Sequence, residues 1–186
     1  VSQQSEAPCT VHAWSVGCAT GEEPYTLAML MDSIVAEVAS VYFGVIASDV
    51  SRAAINTGRK AIYHVRRTRN VPHDIAQRYF SEVDNEHVQV KEALRKKVCF
   101  TPINLLNIAS QPLGKMDIIL CQNVLIYFRH EMRNRILSAL VSRLKPGGML
   151  ILGAGEVFGW AHPELQLIKN DSTLAYKRLV TAGGMQ

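Results

Sequence analysis

The stretch WSVGCATGEEPY, residues 14–25, places Gly17 and Gly21 four positions apart and follows them with Glu22, Glu23 and a proline. Glycines in a turn let the backbone approach a ligand because they have no Cβ. The pattern is GxxxG, and it lacks both the GxGxxG of dinucleotide sites and the GK[ST] of phosphate loops. Two glutamates would repel a polyphosphate, so the turn favours a cationic ligand. Alternatively, the glutamates only stabilise the start of a helix.

A second candidate residue, Asp49, ends the apolar run that precedes it in ASDVS. Nucleoside-binding sheets hold the ribose diol with an acidic residue at this place. The alternative is that Asp49 caps a helix that begins near Ser51. Together with the glycine turn, ribose binding is favoured. A nucleoside with positive charge and without a polyphosphate indicates S-adenosylmethionine.

Two further candidates, Asn123 and Tyr127, lie four residues apart in CQNVLIYF. If Asn123 opens a helical turn, both side chains lie on one face. They would stand at the carboxyl end of a central strand, beside the reactive end of the cofactor. The alternative for Tyr127 is an aromatic residue of the core.

Short apolar runs alternate with helical patterns along the chain, which predicts a parallel sheet with helices on both faces. The last two runs flank NDS and predict an antiparallel edge hairpin. The predicted fold class is therefore α/β, a doubly wound, mostly parallel sheet with an antiparallel C-terminal hairpin. The strands are predicted at 11–16, 42–47, 98–101, 116–121, 149–153, 165–169 and 173–177, and the helices at 24–38, 51–57 and 129–144. The last of these helices is expected to stop at KPGG.

The charged residues 58–97 break this alternation and predict an inserted subdomain, at about 60–97, between the second and third core strands. The length predicts a single domain, over residues 11–180. Residues 1–10 are interpreted as a linker from a preceding domain.

Composition excludes several classes of protein. The net charge of +4 is too weak to indicate a partner, and the longest apolar runs are far shorter than the roughly 20 residues of a membrane span. The four cysteines form no CxxC, which predicts neither a zinc site nor a disulfide framework and indicates a reducing, cytoplasmic location. No metal is predicted.

A family resemblance emerges from six blocks taken together. WSVGCATGEEPYTLAMLM, ASDVSRAAI, RYF, VCFTPINLL, MDIILCQNVLIYF and LKPGGMLILGAGEVF occur in the order and rough spacing of the chemotaxis receptor methyltransferases, the CheR-type family. The similarity extends from about Val11 to Arg178. It implies a class I methyltransferase sheet that binds S-adenosylmethionine. It also implies methyl transfer to glutamate side chains on the cytoplasmic methylation helices of chemoreceptors, with S-adenosylhomocysteine as product.

The resemblance also assigns residues. It implies that Glu23 and Asp49 line the cofactor pocket, to which the glycine turn already assigns Gly17. It also implies that Asn104 and Leu105 lie beside the adenine and that Gln122 and Asn123 follow the methionine and ribose side. It places Tyr127 near the transferable methyl group, as the catalytic residue. A glutamate needs no general base, because its reference pKa of about 4.3 leaves it ionised at neutral pH.

The chain departs from the family in three respects. Gln122 stands where the family usually has an arginine, so a charged contact is lost. The sequence given does not include the family's helical N-terminal domain, whose arginine lies at the active site. The chain is then either a fragment of a longer protein or a naturally reduced relative, and alone it is expected to be weakly active. The stretch at roughly 63–97 lacks the glycine-rich loop of relatives that bind a receptor tail. Recognition is therefore predicted without a tail tether, through Arg59, Arg66, Arg67 and Arg69.

Two other functions remain as alternatives. A nucleic-acid methyltransferase would use the basic stretch 59–69, but such enzymes typically carry an Asn/Asp-Pro-Pro-aromatic motif that NVLIYF lacks. No nucleic-acid partner is therefore predicted. A non-catalytic cofactor-binding or signalling module would fit the departure at Gln122.

Overall fold

A computed structural model of the chain describes residues 8–157, 159–168 and 173–180. Contacts between residues divide the chain into two compact units. The first contains residues 8–11 and 18–102. The second contains residues 12–17 and the described residues from 103 onward.

The first half of the chain alternates strands and helices until a small sheet interrupts the pattern. The elements in chain order are β1 (Cys9–Val16), α1 (Glu22–Val35), β2 (Val41–Asp49), α2 (Arg52–Lys60), β3 (Ile62–His64), α3 (Val65–Thr68), α4 (His73–Tyr79), β4 (Phe80–Glu82), β5 (His87–Val90), α5 (Glu92–Arg95) and β6 (Val98–Pro102). Strands β3, β5 and β4 pair in that order as a three-stranded antiparallel sheet. This sheet occupies the charged stretch that the sequence predicts as an insertion.

The second half returns to the alternation and ends in antiparallel strands. Its elements are a 3₁₀ helix (Leu105–Ser110), β7 (Met116–Cys121), a second 3₁₀ helix (Leu125–Tyr127), α6 (His130–Arg143), β8 (Leu144–Leu152), β9 (Leu165–Ile168) and β10 (Leu174–Arg178).

The described strands of the main sheet are seven, in the order β6-β2-β1-β7-β8-β10-β9. The pairs β2–β6, β1–β7 and β7–β8 are parallel, whereas β10 runs antiparallel to both β8 and β9. The predicted mostly parallel sheet with an antiparallel C-terminal hairpin is confirmed. The predicted turn at NDS, residues 170–172, lies outside the described residues.

The end of α6 differs from the prediction. The helix ends at Arg143, as a KPGG stop suggests, but Leu144 and KPGG already belong to β8. Met116 of β7 pairs with Leu144 and Ile118 pairs with Met149, so the intervening residues of β8 form an irregularity opposite Asp117. Gly147, with φ of +80°, supplies the left-handed conformation that this irregularity requires.

The sheet positions candidate residues by placing strand ends together. Val16 at the end of β1 pairs with Cys121 at the end of β7, and strand order reverses between these strands. In open parallel sheets, ligands bind outside the carboxyl ends of the strands at such a reversal. In the second unit, Gly17 and the residues after Cys121 therefore follow neighbouring strand ends. Trp14 and Ile119, which are fully buried, hold these strands in the core.

Candidate functional site

The glycine turn, residues 17–21, connects β1 to α1 in left-handed conformations, with φ of +70° at Gly17 and +100° at Gly21. Residues other than glycine rarely adopt these backbone angles. A Cβ added at Gly17 would lie 2.2 Å from Val124 Cγ2, and one at Gly21 would lie 2.9 Å from the Tyr63 hydroxyl. The structure thus gives both glycines a structural reason that the sequence did not predict, because protein side chains lie where a Cβ would be. The part of Gly17 in cofactor binding stays a prediction.

Asp49 joins the end of β2 to the glycine turn. Its Oδ2 accepts a hydrogen bond of 3.0 Å from the Ala19 backbone N–H, and its Oδ1 accepts one of 2.8 Å from the Ser51 N–H. The alternative that Asp49 caps α2 is wrong, because the N-cap is Ser51, whose Oγ accepts from the Ala54 N–H at 3.2 Å. A carboxylate has about four lone-pair sites, so Asp49 retains acceptor capacity for a ligand hydroxyl pair.

The electrostatic potential at the turn is negative. Burial, followed by the charges of Asp49 and Glu23, raises the pKa of the Cys18 thiol from its ordinary 9.0 to about 12. The two carboxylates therefore act on the interior of the turn as well as on solvent. Such a field disfavours a phosphate and favours a cation such as a sulfonium.

Glu22 has a partner inside the chain. It accepts a hydrogen bond of 2.6 Å from Thr20 Oγ1 and forms an ion pair with Arg67. Burial raises the pKa of Glu22, but hydrogen bonds from Thr20, its own backbone and Arg67 lower it more, so the pKa lies below its usual value. Glu22 thus does more than complement the helix dipole, because it connects the start of α1 to α3.

Two of the four arginines predicted to recognise substrate bond through their side chains to other residues of the chain. Arg67 pairs with Glu22, and Arg59 Nη2 donates to the Phe100 carbonyl at 2.7 Å. Arg66 and Arg69 are exposed at the end of α3. The recognition role of all four stays a prediction, and the contacts of Arg59 and Arg67 leave Arg66 and Arg69 as the stronger candidates.

In the second unit, Asn104 and Leu105 lie where β6 passes into the first 3₁₀ helix. Asn104 Oδ1 accepts from the Leu106 N–H at 3.0 Å and caps this helix. The Asn104 side chain is exposed and Leu105 is half-buried. Both are accessible to a ligand, and their proximity to adenine stays a prediction.

The segment 122–127 follows β7 and differs from the predicted helical turn. Asn123 has φ of +58°, in the left-handed region, and a 3₁₀ helix begins only at Leu125. The prediction that Asn123 opens a helical turn is therefore wrong. Tyr127 is 81% exposed, so the alternative of a core aromatic is also wrong. Leu125, fully buried, is the core residue of this motif, and Gln122 is half-buried.

Sequence analysis missed Glu156, which holds this segment. Its side chain is 2% exposed, and its oxygens accept hydrogen bonds from the backbone N–H groups of Asn123, Leu125 and Ile126. The residue lies within GAGEVF, one of the blocks that carry the resemblance, yet a single glutamate after an apolar strand gives no indication of inward orientation.

The described part of the chain contains neither a metal-ligand cluster nor a membrane-spanning helix. No three His, Cys, Asp or Glu side chains among residues 8–157, 159–168 and 173–180 group as metal ligands would. No described helix has the length and apolar character that a membrane span requires.

Comparison with known proteins gives the family. The family model described as CheR methyltransferase, SAM binding domain matches residues 1–173. A chemotaxis protein methyltransferase of Borreliella burgdorferi is 36% identical over 148 residues, covering 78% of this chain and 52% of that protein. The Escherichia coli protein of the same name is also 36% identical over 148 residues, covering 78% and 51%. Chemotaxis protein methyltransferase Cher2 of Pseudomonas putida is 33% identical over 168 residues, covering 88% and 61%.

Solved structures show the same fold at low sequence identity. N-methyltransferase NodS from Bradyrhizobium japonicum, in complex with S-adenosyl-L-homocysteine, matches with a TM-score of 0.54 and 15% identity, covering 90% of this chain and 78% of that one. A TehB-like SAM-dependent methyltransferase from Corynebacterium glutamicum matches with a TM-score of 0.52 and 14% identity, covering 92% and 82%. The main sheet is thus that of the class I methyltransferases.

The chain spans about half to three-fifths of the length of the curated relatives named above. Within that span the family match is nearly complete, and it includes the glycine turn, Asp49 and the segment 122–127. This chain belongs to the CheR methyltransferase family, and the part of the family that it represents is the S-adenosylmethionine-binding domain.

Proposed function

We propose that this chain is the catalytic domain of a protein-glutamate O-methyltransferase. It transfers a methyl group from S-adenosylmethionine to glutamate carboxylates on the cytoplasmic methylation helices of chemoreceptors, and it acts in the cytoplasm. The observation that carries the proposal is the glycine turn tied to Asp49, with carboxylates where a phosphate site would have none. The names of the relatives add chemotaxis as the setting.

The proposed roles of the cofactor-binding residues follow their local environments. Asp49 accepts hydrogen bonds from the ribose hydroxyls through its remaining lone pairs, and Glu23 faces the cationic end of the cofactor. Leu105, beside Asn104, packs on the adenine. Gly17, Gln122 and Asn123 complete the contacts to the methionine and ribose portions.

The reaction depends on aligning the carboxylate with the methyl group and on excluding water from the site, more than on proton transfer. S-adenosylmethionine supplies a methyl group on a sulfonium. The substrate carboxylate forms a bond to that carbon as the carbon–sulfur bond breaks, and the electron pair stays on sulfur. Opposite charges neutralise in this step, so a site that excludes water and aligns the two partners lowers the barrier. Tyr127, which is exposed, orients the carboxylate through its hydroxyl.

The proposed recognition of the receptor does not use a tail tether. Charged side chains on a strand edge discourage pairing with an added peptide, and Ser81 and Glu82 of the edge strand β4 are exposed, with Glu82 carrying charge. Arg66 and Arg69 would instead meet the acidic methylation helix directly. Exposed charges interact only within about 8 Å at physiological ionic strength, so this contact should weaken as salt rises.

The test uses the complete natural protein, S-adenosylmethionine with a labelled methyl group, and a chemoreceptor cytoplasmic fragment. The expected result is label that base releases as methanol and that disappears when the acceptor glutamates are changed to glutamine. Arg66→Ser with Arg69→Ser should lower the rate at low salt. Cofactor binding without transfer would favour the non-catalytic module, and label in RNA would favour a nucleic-acid methyltransferase.

A further inference from the structure

Glu156 is a buried acid in the loop after β8, and its carboxylate accepts hydrogen bonds from backbone N–H groups of the protein. Only 2% of its surface is exposed. A carboxylate removed from water is strongly unfavourable unless its oxygens receive hydrogen bonds. The partners of Glu156 therefore indicate why the position is acidic.

Four backbone N–H groups donate to the carboxylate. Oε2 accepts from Asn123 at 2.9 Å and from Gly153 at 3.1 Å, and Oε1 accepts from Leu125 at 3.0 Å and Ile126 at 3.4 Å. A carboxylate offers about four lone-pair sites, so these donors use its whole capacity. Glu156 thus has none left for substrate, and it acts through the backbone.

Three of these donors belong to the segment that presents Asn123 and Tyr127. Asn123 lies in the left-handed region, which costs free energy for residues other than glycine, although less for asparagine than for most. The N–H groups of Leu125 and Ile126 open the 3₁₀ helix, where no helical carbonyl is available to accept from them. The carboxylate supplies acceptors to all three and so fixes the segment from outside its own sequence.

Arg133 of α6 holds the far end of the same segment. Its Nε donates to the Phe128 carbonyl at 2.7 Å, and its Nη1 donates to the Glu156 carbonyl at 3.1 Å. The backbone before Asn123 leaves β7, and the backbone after Tyr127 is bonded to α6. Between these ends the Tyr127 side chain is exposed, although Leu125 beside it is fully buried.

We propose that Glu156 is a positioning residue, whose carboxylate fixes the backbone of residues 123–126 and thereby presents Asn123 to the cofactor and Tyr127 to the substrate carboxylate. The proposal rests on the proposed function. Glu156 takes no part in bond making. Loss of its carboxylate is therefore expected to lower the rate of methyl transfer more than it lowers the stability of the fold.

The experiment compares Glu156→Gln with Glu164→Gln in the complete natural protein. Glutamine keeps the size of the side chain, but its amide nitrogen cannot accept a hydrogen bond. Glu164 is the matched control, because it is an exposed glutamate of the same unit that pairs with the half-buried Arg178. Hydrogen exchange of individual amides, affinity for S-adenosylmethionine, kcat and receptor KM are measured for each variant.

For Glu156→Gln we expect the amides of Asn123, Leu125 and Ile126 to exchange at least tenfold faster, while amides in the middle of α6 keep their rates. We expect kcat to fall at least tenfold, cofactor affinity to fall about threefold to tenfold, and receptor KM to stay within threefold. Glu164→Gln should match the wild type in all of these. Glu156→Asp, which keeps both acceptor oxygens, should recover part of the lost kcat.

A folded Glu156→Gln protein with kcat within twofold of wild type overturns the proposal, and so does faster exchange without loss of kcat. If Glu156→Gln does not fold, Glu156→Asp decides: wild-type kcat with faster exchange at these amides overturns the proposal, and a lower kcat in step with that exchange supports it. If the wild type transfers no methyl group, the proposed function fails by itself. The positioning role is then judged by exchange and cofactor affinity, and unchanged affinity overturns it.

Discussion

The glycine turn and the segment 122–127 each depend on one carboxylate, but the two carboxylates are used differently. Asp49 is half-buried and accepts two backbone N–H groups, which leaves lone pairs for a ligand. Glu156 is almost fully buried and accepts four, which leaves none. The number of remaining acceptor sites thus separates a group that has capacity for a ligand from one whose capacity is used by the backbone beside it.

The largest expected effect concerns the field at the glycine turn. Because burial, Asp49 and Glu23 raise the pKa of Cys18 from 9.0 to about 12, its thiolate fraction near pH 8 should be about a thousandfold below that of an ordinary cysteine. Alkylation with iodoacetamide, followed by mass spectrometry, should label the exposed Cys9 and Cys99 long before Cys18. Labelling of Cys18 as fast as Cys99 would contradict the burial and the neighbouring negative charges that together raise the pKa of Cys18.

Asp49→Ala should weaken binding of S-adenosylmethionine by about 1–3 kcal/mol, roughly 5-fold to 150-fold, because charged hydrogen bonds to the ribose are lost. Calorimetric titration measures the change. Asp84→Ala is the matched control, since Asp84 Oδ1 accepts from the backbone N–H of Glu86 at 2.8 Å, as Asp49 accepts from Ser51. Equal affinities in the wild type and Asp49→Ala would reject the ribose assignment.

Tyr127→Phe should lower methyl-transfer turnover about tenfold and leave cofactor affinity within twofold, because only the orienting hydroxyl is removed. Single-turnover rates and calorimetry separate the two quantities. Tyr42→Phe, an exposed tyrosine of β2, should change neither. Wild-type turnover in Tyr127→Phe would remove Tyr127 from the mechanism and leave Asn123 as the functional residue of that segment.

The smallest effect is expected from the ion pair that joins α1 to α3. The folded-state pKa of Glu22 lies below its unfolded value of about 4.5, so its contribution to stability is present above pH 4.5 and is lost as pH falls through the folded pKa. Both side chains are largely exposed, so the contribution is at most about 1 kcal/mol. Urea unfolding should show a difference between wild type and Glu22→Gln at pH 7 that shrinks below pH 4.5. A difference that is constant with pH would assign it to packing.

The sequence predicted the features that depend on the pattern of side chains. Alternating apolar runs predicted the sheet and its helices. The position of Asp49 after β2 marked it as a candidate residue, but its hydrogen bond to the Ala19 N–H of the turn was not predicted. The sequence did not predict Glu156, because its donors are backbone N–H groups, which every residue except proline possesses. It also did not predict that Tyr63 donates to the Thr20 carbonyl at 2.9 Å, since a tyrosine in a charged insertion has no pattern that points to the turn. The exposure of Tyr127 was not evident from the sequence either. VLIYF is apolar throughout, but Leu125 is fully buried whereas Tyr127 is exposed.

Relative affinity for S-adenosylmethionine and ATP tests most directly whether this turn binds a cationic nucleoside. Both ligands carry adenosine, so the comparison tests whether the site favours a cationic sulfonium group or a triphosphate at the 5′ position. Calorimetric titration of the complete natural protein should show binding of S-adenosylmethionine at least a hundredfold tighter than that of ATP. Equal or tighter binding of ATP would contradict the assignment of the turn and, with it, the proposed methyl transfer.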